Sequence, residues 1–415
     1  MIVTAIIAEY NPFHNGHAWQ LKKAREMTGA DYLIVIMSGD YVQRGAPALL
    51  PKHLRTEMAL LGGADLILEL PCCYATGSAQ YFSRGAVALL DALSCVDYLC
   101  FGSEWGEISP FLTLADLLVQ EPADYREFLQ QQLRSGCSFP LARNTALTEY
   151  FAKHPDLLCE ITPDELNEFL QLPNNILGLE YCQALLTLHS TIQPVTIRRV
   201  GSSYHEEQLS NNELCFPSAT AVRQAIRNNT FHPVNFPGIP EQVSPLLEKA
   251  IQNREVLFED DFSLLLAAKL LLETPESLIS YFDVTEDLAN RIIRRRNEFT
   301  GFRQFTSLLK TRELTYSRIS RALLHILLGL KEVSSPSYER ILGFRKDAGP
   351  LLSLISKSSC LPLVTRPVLA QKKLSAEAYK AFSEDIYVSN LYETVRSQKT
   401  DSSFLHEYQK PMVLL

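Results

Sequence analysis

The sequence predicts an α/β protein in which helices cover a parallel sheet, followed by a mainly α-helical second half. Over the first hundred residues, short apolar runs alternate with helical patterns of about a dozen residues, as in βαβ units. Past residue 230, the stretches DFSLLLAAKLLLE and RISRALLHILLGL have the composition of amphipathic or buried helices. A length of 415 residues is enough for two or three domains.

Apolar runs and turn residues place the individual elements. The predicted strands are Ile2–Ala8, Tyr32–Met37, Asp65–Leu70, Asp97–Phe101 (which ends at Gly102) and Pro194–Val200. The predicted early helices are Gly16–Met27 (ending near Gly29), Lys52–Leu61 (stopped by Gly62) and Ala79–Leu93. Residues 110–190 are predicted to be mainly helical, interrupted by Pro140 and by the turn LPNNILG, and SATAVRQAI begins another helix. The Pro-rich passage 230–245 is predicted as a linker, and no structure is assigned after about residue 360.

Composition narrows the class of protein. The first apolar run is too short and lacks the basic start of a signal peptide, and no later run is long enough to span a bilayer, so we expect a cytoplasmic protein. Nine scattered cysteines without a C-x-x-C pair favour reduced thiols over disulfides or a zinc site, and we assign no metal ligands. Net charge is −8, which argues against general nucleic-acid binding by the whole surface.

The stretch EYNPFHNGH, which follows the first strand, is the strongest chemical signal. Residues after a parallel strand lie at the sheet edge where ligands bind. Pro12 disfavours helix at Asn11, and the helix that follows is expected to offer free N–H groups to an anion. His14 and His17 lie three residues apart and can donate to phosphate oxygens, in a protonated form that phosphate favours. Such donors suit attack on the α-phosphate of ATP. A metal site or two structural capping histidines are the alternatives.

Two motifs together resemble a known superfamily. HNGH after strand one resembles the HIGH motif of nucleotidyltransferases, and SATAVR, at Ser218–Arg223, resembles their second signature S-x-T-x-x-R. Further segments extend the likeness to the bacterial tRNA(Met) cytidine acetate ligase family: MSGDYVQRG, DLILELP, FGSE, PNNILG, TYSRISR and ERILGF. Ala219 stands where many superfamily members have a second serine, which removes one potential hydroxyl.

The resemblance implies a fold, a reaction and its substrates. The fold would be a Rossmann-like HIGH-superfamily nucleotidyltransferase domain at 1–230, with a helical insertion at about 106–190, and a mainly helical, tRNA-binding domain at 231–415. The enzyme would form acetyl-adenylate from ATP and acetate, with Mg²⁺, and transfer the acetyl group to N4 of the wobble cytidine of elongator tRNA(Met). Its oligomeric state is not implied.

The resemblance also implies site residues. His14, His17 and Arg223 would be catalytic. The ATP-binding residues would be Ile7, Ala8, Glu9, Tyr10, Asn11, Pro12, Phe13, His14, Asn15, Gly16, His17, Ala18, Trp19, Gln20, Gly102, Asn175, Arg199, Ser218 and Thr220, with Asn174 and Arg198 as alternatives to their neighbours.

Two other segments lie near the predicted site. In SGDYVQRG, Arg44 is predicted to meet the substrate anion or tRNA, and Asp40 is a weak candidate for a magnesium ligand; an ordinary surface loop is the alternative. Cys72 and Cys73 follow Pro71, but no paired histidine is apparent, so we interpret both as structural.

A basic segment suggests an RNA-facing surface. Residues 291–346 hold 13 Lys/Arg against four Asp/Glu. We expect Arg294, Arg295, Arg296, Arg318 and Arg321 to contact tRNA. Aromatic residues interleaved with them, Phe299, Phe302, Phe305 and Tyr316, can stack on unpaired bases, but at helical spacing they are more often core.

Two other functions compete with an RNA-modifying ligase. A small-molecule adenylyltransferase would share the ATP site, but the extra basic helical region argues against it. A non-catalytic nucleotide- and RNA-binding protein would retain the fold, but the intact HNGH and SATAVR motifs count against that.

Overall fold

The computed structural model describes residues 1–157, 161–199, 217–231, 238–311 and 313–415. Its strands are β1 (Val3–Ala8), β2 (Tyr32–Ser38), β3 (Tyr41–Val42), β4 (Ala46–Pro47), β5 (Leu66–Leu70), β6 (Tyr98–Ser103), β7 (Gln193–Arg198), β8 (Glu339–Phe344), β9 (Leu363–Val364) and β10 (Val413–Leu414).

The helices of the first half are α1 (Asn15–Thr28), α2 (Lys52–Leu61), α3 (Cys72–Ala75), α4 (Ala79–Leu93), α5 (Ser109–Gln120), α6 (Ala123–Arg134), α7 (Phe139–Lys153), α8 (Pro163–Phe169) and α9 (Pro173–Thr187). The later ones are α10 (Ala219–Arg227), α11 (Ser244–Gln252), α12 (Ser263–Leu272), α13 (Pro275–Ile279), α14 (Glu286–Arg295), α15 (Phe302–Leu309), α16 (Tyr316–Leu328), α17 (Gly349–Ser358), α18 (Ala370–Lys373) and α19 (Ala376–Lys399). No helix among the described residues is long and apolar enough to cross a membrane.

The chain forms two compact units. The first comprises Met1–Cys95 and Phe216–Leu415, and the second comprises Val96–Cys215. These units do not coincide with the predicted boundary at residue 230. That boundary concerns which part binds ATP and which part binds tRNA, and it stays a prediction.

The first unit is built on the predicted parallel sheet. β2 lies between β1 and β5 and runs parallel to both, with Val3 opposite Tyr32 and Ile34 opposite Leu66. Residues 33–38 of β2 are all buried, which explains an apolar run without polar alternation: helices cover both faces.

The mainly helical C-terminal half also returns strands to this sheet, which the sequence did not predict. β8 pairs antiparallel with β5, and β9 and β10 run parallel to β8. An antiparallel edge strand on a parallel sheet is a common arrangement. β8, with the sequence ERILGF, is buried for most of its length. It pairs with β5 on one side, and β9 and β10 also pair with it, so β8 is not an edge strand.

Helices α12–α16 and α19 build a second core in this unit. Its buried members include Leu266, Leu288, Phe302, Phe305 and Leu323. Tyr41 of β3 and Cys72 belong to the same cluster, so this helical core is continuous with the loops at the end of the sheet. The apolar stretches of the sequence predicted α12 and α16 correctly, whereas α19 lies in the region after residue 360 to which the sequence analysis assigned no structure.

The second unit pairs β6 with β7 in parallel and packs helices α5–α9 around them. Pro140 and Pro173 lie in the first turns of α7 and α9, where proline is tolerated because the first helical amides need no intrahelical acceptor. The predicted interruption at Pro140 is therefore a helix start. Residue 200, the predicted end of the β7 strand, lies outside the described residues, as do Pro233 and Pro237 of the predicted linker.

Candidate active site

The turn from β1 into α1 presents the HNGH segment at the carboxyl end of the sheet. Tyr10 is buried with a left-handed backbone (φ 46°), and the Asn11–Pro12 peptide is cis. The Asn11 side-chain oxygen accepts a hydrogen bond from the Leu49 amide at 2.7 Å, which ties this turn to the segment before α2. The histidines therefore stand at the edge where open parallel sheets bind ligands.

His14 and His17 form a capping box at the start of α1, in which both rings accept backbone amides. Gly16 N–H donates to His14 Nδ1 at 3.0 Å, and His14 N–H donates to His17 Nδ1 at 3.3 Å. The rings are stacked, with centroids 3.7 Å apart. A ring nitrogen that accepts a hydrogen bond carries no proton, so in this arrangement each neutral ring holds its proton on Nε2. This geometry favours neutral Nε2–H donors over the imidazolium form expected from the sequence.

The backbone amides of the first turn are already bonded. Asn15 N–H donates to the Gly238 carbonyl at 2.8 Å, and the next three amides donate to atoms of His14 at 2.9–3.2 Å. The sequence predicted free amides here, and for this conformation that prediction was wrong. Histidine is an unusual cap compared with Ser, Thr, Asp or Asn, but capping by the two histidines was one of the alternatives that the sequence left open. Phosphate donors at this turn therefore come from side chains.

The second signature lies against the first. Ser218 caps α10 by accepting from the Ala221 amide at 3.2 Å. Arg223 donates through Nη1 to the Asn11 carbonyl at 2.6 Å and through Nη2 to Thr220 Oγ1 at 3.0 Å. The structure thus brings HNGH and SATAVR together inside one compact unit.

Arg223 remains a cation in this setting. Burial lowers the pKa of its guanidinium, and Glu9 opposes that effect. An arginine pKa is so high that such a shift leaves the group protonated at neutral pH. The site therefore contains one fixed positive charge beside the two imidazole donors.

Arg55, which the sequence analysis did not select, organises the loops around the site. It is fully buried and donates to the carbonyls of Glu9 (2.6 Å), Ser38 (3.1 Å) and Leu50 (3.0 Å), and also to that of Gly39. These carbonyls belong to residues at the ends of β1 and β2 and just before α2. In sequence, KHLRTEMALL is an ordinary helical pattern, and only the fold shows that its arginine points inward.

The segment SGDYVQRGAPA forms a hairpin of β3 and β4 instead of an irregular loop. Glu9 Oε1 accepts from the Gln43 amide at 3.0 Å, and the Gly45 carbonyl accepts from Ser320 Oγ of α16 at 2.8 Å. Arg44 is exposed at the tip. The hairpin therefore connects the end of β1 with a helix of the predicted tRNA-binding half.

Asp40 does not fit a metal ligand. Its Oδ1 accepts from the Lys52 amide at 2.9 Å, and its Oδ2 lies 3.7 Å from Lys52 Nζ. No group of three or more His, Cys, Asp or Glu side chains in the described residues is arranged to hold a metal ion. Any magnesium would have to be held mainly by nucleotide phosphates and water.

Lys52 is the centre of a buried ionic cluster. Its ammonium lies 2.6 Å from Glu69 and 3.0 Å from Glu407, and Arg340 reaches the same two carboxylates at 2.9 and 2.6 Å. Burial and Arg340 lower the pKa of Lys52, but Glu407, Glu69 and Asp40 more than compensate and raise it. The cluster joins α2 and β5 to β8 and the C-terminal segment.

Cys72 and Cys73 have no features of an acyl carrier. Burial raises the pKa of both thiols, most strongly for Cys72. A raised pKa leaves little thiolate, which is the nucleophilic form. The Cys72 amide donates to Asp385 at 2.8 Å, so this turn is tied to α19. These observations agree with the structural interpretation.

Gly102, Asn175 and Arg199 lie in the second unit. Asn175 is fully buried; its Oδ1 accepts from the amides of Glu104 (3.0 Å) and Trp105 (3.2 Å), so it shapes the FGSE turn. A Cβ at Gly102 would lie 3.3 Å from Cγ of Arg199, so the arginine stem packs over this glycine. Asn174 donates to Glu104 at 2.6 Å and is likewise engaged. Their role in ATP binding stays a prediction.

The predicted tRNA-contacting arginines have different surroundings. Arg294 is exposed. Arg295 pairs with Glu298 at 2.7 Å, and Arg321 pairs with Asp283 at 3.0 Å. Arg296 donates to the carbonyls of Leu270 and Glu273 and so caps the end of α12. Arg318 is half-buried in the first turn of α16. Arg294 is the member of this set whose side chain is most available to a partner.

Comparison with known proteins gives consistent matches. The model of the HIGH Nucleotidyl Transferase family matches residues 1–406. A protein of Clostridium tetani, named tRNA(Met) cytidine acetate ligase, is 40% identical over 88% of this chain and 90% of its own length. A protein of Clostridium perfringens with the same name is 36% identical over 98% of both chains.

Solved structures agree. The crystal structure of Thermotoga maritima TmcAL bound with alpha-thio ATP has a TM-score of 0.90 and 32% identity, and both chains are covered completely. The apo form of the same protein gives a TM-score of 0.91 at the same identity and coverage.

Proposed function

The chain belongs to the HIGH nucleotidyl transferase family and, within it, to the tRNA(Met) cytidine acetate ligases, and from this premise we propose that it acetylates tRNA at the expense of ATP. Acetate is first activated as acetyl-adenylate, and the acetyl group then passes to N4 of the wobble cytidine of elongator tRNA(Met). The observation that carries the proposal is the 2.6 Å bond from Arg223 to the Asn11 carbonyl, which joins the two signature motifs into one phosphate-facing site.

In the first step, a carboxylate oxygen of acetate attacks the α-phosphorus of ATP, and the bond to the β-phosphate oxygen breaks. Negative charge grows on the phosphoryl oxygens and on the departing pyrophosphate. We assign Nε2–H of His14 and His17 and the Arg223 guanidinium to stabilise that charge. The amides of Gly16 and His14, which donate to the two Nδ1 atoms, hold both neutral rings in the required tautomer, so little reorganisation is needed as charge develops.

In the second step, the cytidine amine attacks the acetyl carbon of the mixed anhydride, AMP leaves, and the amine loses a proton to water. Acetate is already ionised and the anhydride is reactive, so neither step requires a basic side chain from the protein. Magnesium, when present, would neutralise phosphate charge.

We further propose how the chain divides the work. Residues 1–230 would carry the ATP site, including Gly102, Asn175 and Arg199, and residues 231–415 would face the tRNA. A tRNA substrate would place the protein in the cytoplasm.

The test combines purified protein with ATP, labelled acetate and elongator tRNA(Met), followed by nucleoside mass spectrometry. We expect labelled N4-acetylcytidine and stoichiometric AMP. A product in which AMP stays attached to another small molecule, without acetyl label, would instead support a small-molecule adenylyltransferase. Absence of any ATP turnover would support a non-catalytic binding protein.

Variants test the histidines without removing the helix cap. Asparagine is a good N-cap residue, so His14→Asn keeps the amide acceptor and removes the Nε2–H donor. We expect His14→Asn and His17→Asn to lower acetate-dependent pyrophosphate release by about 100-fold or more each, in line with the loss of an oxyanion donor. His154→Asn, a change of the same kind at the residue that follows α7, serves as the control and should be neutral. Full activity in both site variants would contradict the assignment.

A further inference from the structure

One aromatic side chain of the basic segment is set apart from the others by its exposure. Phe302 and Phe305 are fully buried, and Phe299 packs against the same core. Tyr316 is 37% exposed at the first position of α16, directly after the capping residue Thr315. The three phenylalanines therefore serve the core, and only Tyr316 of these four offers part of a ring face to a partner.

Tyr316 begins the helix on which the β3–β4 hairpin docks, since Ser320, one turn further along α16, donates to the Gly45 carbonyl at 2.8 Å. Burial raises the pKa of its phenol, and the nearby charges of Glu259, Asp260 and Arg303 also affect that pKa. Glu259 forms an ion pair with Arg227 at 2.5 Å, one helical turn beyond Arg223 on α10. The hairpin itself is bonded to both elements: the Gln43 amide donates to Glu9 at the end of β1, and the Gly45 carbonyl accepts from Ser320 of the Tyr316 helix.

Two exposed arginines lie on segments that pack against α16: Arg303 on α15 and Arg44 on the β3–β4 hairpin. Arg303 is exposed, and its positive charge opposes the rise that burial causes in the pKa of the Tyr316 phenol; its own amide donates to Asp260 at 2.9 Å. Arg44 at the hairpin tip is exposed and near enough for its charge to act on Arg223. Within the described part of the chain, neither Arg44 nor Arg303 has a carboxylate within ion-pair distance. Both remain available to phosphates.

We propose that Tyr316 is the positioning residue on which the acceptor cytidine stacks, with Arg303 and Arg44 contacting the phosphates on either side of that nucleotide. The inference rests on the proposed function and names the surface that receives the tRNA. Single-stranded RNA is typically bound by an aromatic ring that stacks a base beside cations that meet the backbone. Stacking leaves the exocyclic N4 amine at the edge of the base, accessible to the acetyl carbon.

The tyrosine itself takes no part in the chemistry. Burial is the main cause that raises the pKa of its phenol, so the hydroxyl keeps its proton at neutral pH and is not a base. A ring without the hydroxyl should therefore support the reaction, whereas a side chain without the ring should not.

The experiment compares Tyr316→Phe, Tyr316→Leu and Tyr316→Ala in the full-length protein. Tyr81→Ala is the control, because Tyr81 is also a tyrosine in the first turn of a helix, is 36% exposed, and packs on Phe282 beside the other end of α16. Pyrophosphate release from ATP and acetate without tRNA measures the first step. Steady-state acetylation over a range of tRNA concentrations gives KM and kcat for the complete reaction, and urea unfolding checks folding.

We expect Tyr316→Ala and Tyr316→Leu to raise KM for tRNA or lower kcat/KM by about 5- to 150-fold, the range for loss of one stacked base. Tyr316→Phe should stay within about twofold of wild type, and all three should release pyrophosphate normally without tRNA, because the ring does not touch ATP. The control should acetylate tRNA normally.

Normal tRNA kinetics in Tyr316→Leu, or loss of activity in Tyr316→Phe equal to that in Tyr316→Ala, would overturn the stacking role. Loss of tRNA-free pyrophosphate release in the Leu and Ala variants would also overturn it, since the residue would then act on the ATP site. A wild-type enzyme that never acetylates tRNA would instead defeat the proposed function, so the two failures are distinguishable.

Discussion

Replacing Gly45 with alanine should disconnect the hairpin from α16. Gly45 has a left-handed backbone (φ 74°), and an added Cβ would lie 2.3 Å from the Arg321 amide nitrogen and 2.5 Å from the Ser320 carbonyl carbon. Both atoms belong to the helix backbone and cannot rotate away. To restore an ordinary contact of about 3.5 Å, the hairpin tip must move by about 1 Å, which also breaks the Ser320–Gly45 hydrogen bond.

The same substitution at Gly329 provides a matched control. Gly329 has φ 75° at the end of α16, and an added Cβ meets nothing within 4 Å. Gly329→Ala should therefore lower the free energy of unfolding only through the strain of a left-handed alanine, about 1–2 kcal/mol. Part of this loss is offset because alanine also restricts the unfolded chain. Gly45→Ala adds about 1–3 kcal/mol for the forced contact and about 1 kcal/mol for the lost hydrogen bond. The difference between the two variants should be about 2–4 kcal/mol.

Urea unfolding followed by circular dichroism measures this difference from the transition midpoints at constant m. We also expect Gly45→Ala, but not Gly329→Ala, to weaken tRNA acetylation, because Arg44 moves with the hairpin. Equal destabilisation of the two variants would refute the docking of the hairpin on α16.

Three further predictions concern charge. Lys52→Met should destabilise the protein by about 3–5 kcal/mol in urea unfolding, because it leaves buried carboxylates unpaired, whereas Lys23→Met on the surface should change stability by less than about 0.5 kcal/mol. Burial is the main cause that raises the pKa of Asp385 to about 7, whereas the same carboxyl in the unfolded chain loses its proton near pH 3.9. The free energy of unfolding, compared with that of Asp385→Asn, should therefore fall as pH rises from about 4 to 7. A difference that does not depend on pH would contradict this assignment. Arg294→Ala should weaken tRNA binding and flatten its salt dependence without affecting unfolding, whereas Arg296→Ala should mainly lower stability because its helix cap is lost.

Local sequence patterns were enough to predict much of the fold and the position of the candidate site. The apolar runs of β1, β2 and β5, and the glycines that end their helices, depend on neighbouring residues and were predicted within a residue or two. The order of HNGH after the first strand and SATAVR at a late helix start was enough to predict a nucleotide site, because both motifs open a helix and the first follows a strand of a parallel sheet.

Long-range pairing was not predictable in the same way. β8 and β10 join the sheet from more than 250 residues away along the chain, and ERILGF alone does not indicate which strand it will meet. The same limit explains Arg55 and Lys52, which resemble surface residues of an amphipathic helix until β8 and α19 bury that face.

What the sequence by itself determined is the chemistry: two imidazoles and an arginine, placed by local turns at the ends of elements. What only the tertiary structure decided is how those groups are used. The histidine rings accept amides and so hold their protons on Nε2, Arg223 closes on the Asn11 carbonyl, and Tyr316 stays exposed while its aromatic neighbours enter the core. The physical reason is that protonation, hydrogen-bond partners and burial depend on atoms brought together from distant parts of the chain, whereas strand and helix patterns depend on residues within one or two turns of each other.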